Sequence, residues 1–473
     1  MLRQAVPFLI TAPPLAYAAI TLYCGRSFFS RKRDLPDFTP PVSILKPVQG
    51  VDGDSFENFA SFCRQDYPQF QIVFAAASPS DPVIPVIERL MAGYPEVDID
   101  LVVDGSLQGA NYKVCNLMHA HARAKYPLLI VCDSDIRVGE RYLREVCAPF
   151  ADPEVGLVTS LYRSSGVRGG GAIEALGFCS EMVPNVMAAL KLEGLSFALG
   201  ASMALRQTAL ERIGGFAVLV DYLADDYQLG NMIHRAGYRL ELSPHFVESI
   251  MRGDETLTEV LARQLRWGRT MRVSRPGGYL ASGITLPFPA ALLALAVSGF
   301  SGEGMAAAAL LYLVRAAVAL TYSRCYVKDG LLPRWLWLLP LRDALSFGVW
   351  ALSLVGNRVR WRGHLFRLCR GGKILEINES PLVTTPPPSG GRPGLRAEGR
   401  FSPQTGGGKG AVSLLPEQPE DEGEDQGDYD AGGEGEIEGE VFPLDMDVAR
   451  QPPQPRNAPG QGEDDADGGD DKS

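Results

Sequence analysis

The chain has 473 residues, 46% of them apolar, and a formal net charge of −11; the length exceeds one average domain, and the apolar content excludes a chain disordered throughout. The negative charge is local: residues 381–473 carry 21 acidic against 7 basic residues, which leaves 35 acidic and 38 basic ones for the rest. A slightly basic folded part suits an anionic ligand and a surface lying on acidic lipid, and no nucleic-acid partner is expected.

Eight cysteines form no C-x-x-C pair and have no histidine partners at zinc spacing, so neither a disulfide scaffold nor a zinc framework is expected. Reduced thiols favour the cytosolic side of a membrane.

The first element is the apolar stretch Val6 to Tyr23, interrupted by Pro7, Pro13 and Pro14. It is near the lower length limit of a spanning helix. A secretory signal is the competing reading, through the Ala16-Tyr17-Ala18 triplet. Arg26, Arg31, Lys32 and Arg33 follow it, with only Arg3 before it, and this bias predicts a transmembrane anchor over residues 1–25 with the next domain in the cytosol.

From Val42 to about Pro244 the pattern alternates. Strands are expected at Val42–Leu45, Ile72–Ala75, Leu101–Val103, Leu128–Cys132 and Val155–Thr159, with helical stretches between them. That spacing predicts an α/β domain over residues 40–280, with a mostly parallel sheet flanked by helices. Asp133-Ser134-Asp135 sits directly after the apolar run Leu128–Cys132. Ligands bind beyond the carboxyl ends of strands in open α/β sheets, and paired carboxylates supply hard oxygen ligands for Mg²⁺ or Mn²⁺ holding a diphosphate. A solvated acidic turn would look the same in isolation.

Gly200-Ala201-Ser202-Met203 fits either tight strand packing or the floor of an acceptor cleft. Tyr222 to Tyr227 contains Asp225 and Asp226 before a helix whose apolar positions Leu229, Met232, Ile233 and Ala236 share a face. Helix capping and a base role are both open to these acids. Next, Thr256 and Glu259 have capping-box spacing, and on the helix they start Arg263, Arg266 and Trp267 share a face. Two guanidiniums and an indole on one stripe can clamp a diphosphate; a basic stripe on lipid headgroups is the alternative.

Ile284–Phe300 and Met305–Tyr322 are each long enough to span, which predicts a transmembrane hairpin. Arg315 within it should face protein or a cavity. Residues 331–356, split by Arg342-Asp343, are expected to be re-entrant or interfacial helices, because a third span would carry the arginines of the basic segment 357–379 outside. The tail, residues 380–473, is rich in Gly, Pro and acids and is expected to be disordered.

In this order the elements resemble membrane-bound glycosyltransferases of the ceramide glucosyltransferase-like family, including the similar bacterial enzymes that glycosylate hopanoid lipids. The matching residues are Pro41–Pro47, Ser80-Asp81-Pro82, Lys113 with Asn116-Leu117, Cys132–Arg137, Tyr222–Tyr227 and Arg263-x-x-Arg266-Trp267. The resemblance implies a GT-A nucleotide-diphospho-sugar transferase fold, inverting chemistry, a UDP-sugar donor and a membrane lipid acceptor. It also implies roles. Asp81 and Lys113 would bind the donor, Asp133 and Asp135 a divalent Mg or Mn ion with the diphosphate, and Arg263, Arg266 and Trp267 would close over diphosphate and acceptor. Asp226 would be the catalytic base.

Transfer of glucose or N-acetylglucosamine to ceramide or a hopanoid is the activity expected. A processive polysaccharide synthase and a non-catalytic membrane scaffold keeping the fold are the alternatives.

Overall fold

The computed structural model describes residues 2–377 apart from 32–34, 53, 166–170, 251–254 and 331; the acidic tail lies outside the described residues. Among the described residues eleven strands form two sheets: β1 (Val42–Pro47), β2 (Phe70–Ala76), β3 (Asp98–Val103), β4 (Leu128–Cys132), β5 (Ile136–Arg137), β6 (Val155–Ser165), β7 (Ser202–Arg206), β8 (Arg239–Ile250), β9 (Arg358–Trp361), β10 (His364–Leu368) and β11 (Ile374–Glu376). The large sheet has the order β3-β2-β1-β4-β7-β6-β8-β5. Its first four strands are parallel, with Ile44 of β1 opposite Ile72 and Ile130.

β7 runs the other way between β4 and β6, and β5 pairs antiparallel with β8. The reversal of β7 is invisible in strand spacing. It matters because Ser202 lies opposite Cys132, which sets Gly200 and Ala201 beside the carboxyl end of β4.

Alternate residues of each inner strand feed two cores, as a sheet covered on both faces requires. Ile44, Ile72, Phe74 and Ile130 point to one, with Phe59, Phe62 and Tyr142. Leu45, Val73, Leu129 and Val131 point to the other, which continues through Leu176 and Met187 to Cys24, Phe28, Val318 and Tyr322 on the membrane-type helices. One apolar core therefore joins the sheet to those helices.

Among the described residues three helices are long and apolar enough to cross a membrane: Gln4–Phe29, Gly171–Leu192 and Gly302–Val327. The second lies between β6 and β7, which pair in one sheet, so a single crossing there would put paired strands on opposite sides. It is instead packed in protein, 67% of its apolar window being buried. The expected first arm of the hairpin is broken into Pro276–Thr285 and Pro287–Val297, bent by 50°. Pro287 has no N–H to give, and it holds Leu286 in an extended conformation. The Leu339–Ser353 helix packs against the Leu257–Ser274 helix and has 15 residues, too few to span by itself.

Residues 358–376, which read as a basic segment beside the membrane, form a three-stranded antiparallel sheet. It joins the main domain through a bridge between Tyr222 and Lys373 and through the Ile374 N–H, which donates to the Asp221 carbonyl at 2.7 Å. The chain thus returns to its starting side, which allows an even number of crossings after β8.

Arg315 faces protein. Its guanidinium binds the Asp343 carboxylate at 2.9 Å and the Ser180 carbonyl, while Arg342 binds Glu181 at 3.0 Å and Gln264 at 2.8 Å. Because the Asp343 side chain is only 1% exposed, Arg315→Met should destabilise the protein by about 3–5 kcal/mol, and Arg315→Met with Asp343→Leu should recover most of it. Thermal unfolding in detergent measures both, and an additive double variant would contradict the pairing.

Gly230 gives a second test. A Cβ there would lie 2.4 Å from the Ala198 nitrogen and 2.6 Å from the Phe197 carbonyl carbon. Backbone cannot yield as a side chain does, so Gly230→Ala should cost about 1–3 kcal/mol, read as a lowered melting temperature.

Candidate active site

The two acidic motifs meet on one lysine. Asn111 caps the Tyr112–His121 helix by accepting from the Val114 N–H, and its amide donates to the Tyr222 carbonyl at 2.7 Å. That fixes the first turn of the helix against the second acidic motif. Lys113, on that turn, sets its ammonium 2.8 Å from Asp133 Oδ1 and 3.3 Å from Asp225 Oδ2. Burial disfavours the Lys113 charge, but Asp133, Asp225 and Asp226 outweigh it and hold the pKa above the ordinary lysine value.

Asp226 begins the Asp225–Arg235 helix beside Asp225. Neither acid caps it; Asp225 turns to Lys113, and Asp226 Oδ1 accepts from the Tyr227 N–H at 2.7 Å. Desolvation and then the Asp225 carboxylate push the Asp226 carboxyl up to about 6, against the pull of Lys113. A Cβ on Gly200 would stand 2.8 Å from Asp226 Oδ2, so glycine is what leaves room for the carboxylate. The Gly200 loop is held by Thr159, whose hydroxyl donates to the Ser202 carbonyl and accepts from the Leu199 N–H.

Asp135 Oδ2 accepts from the Ser249 hydroxyl at 2.8 Å, and its carbonyl accepts from the Ile250 N–H. Desolvation and then Asp133 raise its carboxyl to about 6. Asp133 remains half-exposed. Two hard carboxylates that disfavour each other's charge suit a divalent cation, whose other ligands would be diphosphate oxygens and water. Among the described residues no group of three His, Cys, Asp or Glu side chains is placed to hold a metal alone. Asp81 is occupied by backbone: its carboxylate accepts from the Gly50 N–H at 2.9 Å and the Val83 N–H at 2.9 Å, fixing the loop after β1.

The capping box forms as its spacing predicts, Thr256 and Glu259 each satisfying the other's backbone N–H. On the Leu257–Ser274 helix the three box residues have different surroundings. Arg263 is held by Glu174 and by Glu255 at 2.7 Å, which raises its pKa despite desolvation. Trp267 lies with its ring 6.0 Å from that guanidinium and is 39% exposed. Arg266 has no ion pair or side-chain hydrogen bond among the described residues. Desolvation and then Arg263 and Arg362 lower its pKa to about 10, against Asp226 and Asp225.

Some neighbours of the site are not legible as motifs. Lys46, fully buried at the end of β1, donates to the Asp133 carbonyl at 3.0 Å and lies 3.8 Å from the centre of the Phe62 ring. Desolvation lowers its pKa against the raising influence of Cys132, Asp133 and Asp135. A lysine ending an apolar strand was the available signal, since an unpaired buried lysine is rare. Tyr162, on β6, carries a hydroxyl whose pKa is raised by desolvation and then Asp226, Glu174, Asp133 and Asp135; β6 gives no sequence sign of it.

The model of glycosyl transferase family 21 matches residues 6–374. Ceramide glucosyltransferase 3 of Caenorhabditis elegans is 27% identical over 346 residues, covering 71% of this chain and 74% of that one. The ceramide glucosyltransferase of Komagataella phaffii is 36% identical over 118 residues, 23% of each chain. Among solved structures, the mannosyltransferase PcManGT from Pyrobaculum calidifontis in complex with GDP-Man and Mn²⁺ superposes with a TM-score of 0.50 at 20% identity, over 74% of this chain and 99% of that one. That likeness shows the fold, a GT-A-like one. With acids and arginines gathered at the strand ends and the family match running through both, the chain belongs to glycosyl transferase family 21 and is a ceramide glucosyltransferase-like glycosyltransferase.

Proposed function

We propose that the protein transfers one hexose from a UDP-sugar to the hydroxyl of a membrane lipid, with ceramide and glucose the pair favoured by the names of its relatives. The observation that carries this reading is Lys113, which holds Asp133 and Asp225 together, while Arg266, whose charge Asp226 and Asp225 favour, has no ion-pair partner among the described residues. An acidic pocket with a cation left over suits a ligand that brings both a metal ion and a diphosphate. The apolar core shared with the membrane-type helices supports an acceptor presented from the bilayer. The basic cluster at Arg26 and Arg31 supports a catalytic domain on the cytosolic face.

In this reading Asp226 removes the proton from the lipid hydroxyl as its oxygen attacks the sugar C1 opposite the departing UDP, so the anomeric centre inverts. Asp133 and Asp135 hold a divalent cation, which when bound neutralises charge on the leaving diphosphate. Arg266 binds that diphosphate bidentately. Arg263, tied to Glu174 and Glu255, positions the helix, and Trp267 offers the acceptor a flat apolar face. Asp81 acts through the Gly50 loop at the nucleoside end. A single transfer is favoured over processive synthesis because a broken helix, the N-terminal helix and the Gly302–Val327 helix make a poor polymer channel.

The direct test incubates purified protein in lipid bilayers with UDP-glucose or UDP-N-acetylglucosamine and with ceramide or a hopanoid alcohol, and reads products by mass spectrometry. One hexose per ceramide is the expected product; polymer, or donor binding without transfer at any metal concentration, would refute the reading.

Asp226→Asn should lower transfer by about 10²–10⁴-fold with UDP affinity retained, and near wild-type transfer would remove Asp226 as base. The base must be ionised, and its pKa of about 6 moves the acid limb upward from the usual carboxylate range. kcat/KM should therefore fall about tenfold per unit below about pH 6; a profile flat down to about pH 5 would count against it.

A further inference from the structure

Arg362 differs from the other arginines that follow the membrane helices, because the fold carries it back to the acids. It stands at the tip of the β9–β10 hairpin, where Arg362 and Gly363 have φ of +50° and +86°. A two-residue hairpin loop with both φ positive favours asparagine, aspartate or glycine at its first position. An arginine there is in the left-handed region that L side chains avoid, and such outliers persist where their surroundings fix them and cluster at functional sites.

The surroundings are built. Val359, Phe366, Leu368 and Ile374 pack on Leu223, two residues before Asp225. The Gln228 amide donates to the Gly371 carbonyl at 2.9 Å. The tip reaches the opposite rim of the site, where the Arg362 guanidinium donates to the Gln49 side chain, next to the Gly50 N–H held by Asp81. Burial disfavours its charge and lowers its pKa against Asp133, Asp52, Asp225 and Asp81, and among the described residues it forms no ion pair. The Trp361 ring lies 5.9 Å from the Arg266 guanidinium and 5.8 Å from that of Arg362. Two cations thus approach one indole beside the carboxylates, an arrangement that favours an anion between them.

We propose that Arg362 is a donor-binding residue which, together with Arg266, takes the diphosphate of the nucleotide sugar, so that the small sheet after the membrane helices completes the donor site. The inference rests on the donor reading above. A nucleoside diphosphate offers two adjacent anionic groups, and the planar fork of each guanidinium donates bidentately to one of them. The hairpin supplies the second fork from a segment some 96 residues beyond Arg266 in the chain.

The informative variant is Arg362→Gly, because glycine adopts this backbone conformation without strain while the side chain with its guanidinium is removed. Full-length protein in detergent with Mg²⁺ is titrated calorimetrically with UDP and, separately, with uridine, and its melting temperature is recorded. UDP affinity should fall about tenfold or more, the loss of a charge-assisted hydrogen bond, while uridine affinity and melting temperature hold; Arg362→Lys should lie between. Unchanged UDP affinity in Arg362→Gly would overturn the proposal, as would equal losses for UDP and uridine. Wild-type protein that binds no nucleoside diphosphate would instead overturn the donor reading, and this inference with it.

Discussion

The Lys113 ammonium is the contact on which the site depends. It is the one cation within ion-pair distance of both Asp133 and Asp225 among the described residues, and those acids come from segments about 90 residues apart. Like charges about 4 Å apart repel by roughly 4 kcal/mol at an effective dielectric near 20. Four acids, Asp133, Asp135, Asp225 and Asp226, are crowded at the ends of β4 and before the Asp225–Arg235 helix, so they require a countercharge in the absence of ligand. Lys113 supplies it to one oxygen each of Asp133 and Asp225. Desolvation and then the neighbouring carboxylates keep the Asp135 and Asp226 carboxyls raised despite it.

Around this centre the fold arranges charge in layers. Lys46 supports the Asp133 backbone from below. Arg263 is neutralised by Glu174 and Glu255, whereas Arg266, one turn on, has no ion pair among the described residues, and Asp226 and Asp225 favour its charge. Gln264, between them, accepts from Arg342, which links the same helix to Glu181 and the membrane-side pair of Arg315 and Asp343. Catalytic and membrane regions thus share ionic contacts as well as an apolar core. Single-sided loss of such a contact would leave a charge in a poorly solvated place.

The membrane topology follows from pairing rather than from hydropathy. A helix of spanning length and composition between two strands of one sheet cannot cross once, whatever its apolar content. Likewise the return of β9–β11 to Tyr222 constrains what lies between β8 and β9. The bent Pro276–Val297 pair and the Gly302–Val327 helix are long and apolar enough to meet that constraint together. The prolines at 287 and 289 explain why the first is broken.

Asp133-Ser134-Asp135, the Asp225-Asp226 helix start, the Thr256–Glu259 capping box and the Arg-x-x-Arg-Trp stripe are local patterns, each set by residues within one turn or one strand end, and for that reason the sequence by itself determined them. The inner strands were legible for the same reason, since burial on both faces leaves an unbroken apolar run. Which acid meets Lys113, that among the described residues Arg263 is paired while Arg266 is not, that β7 is reversed, and that Arg362 reaches Gln49 were decided only by tertiary structure. These are contacts between residues far apart in the chain, and ion pairing and strand direction depend on distance and orientation in space, which no local pattern of residue types encodes.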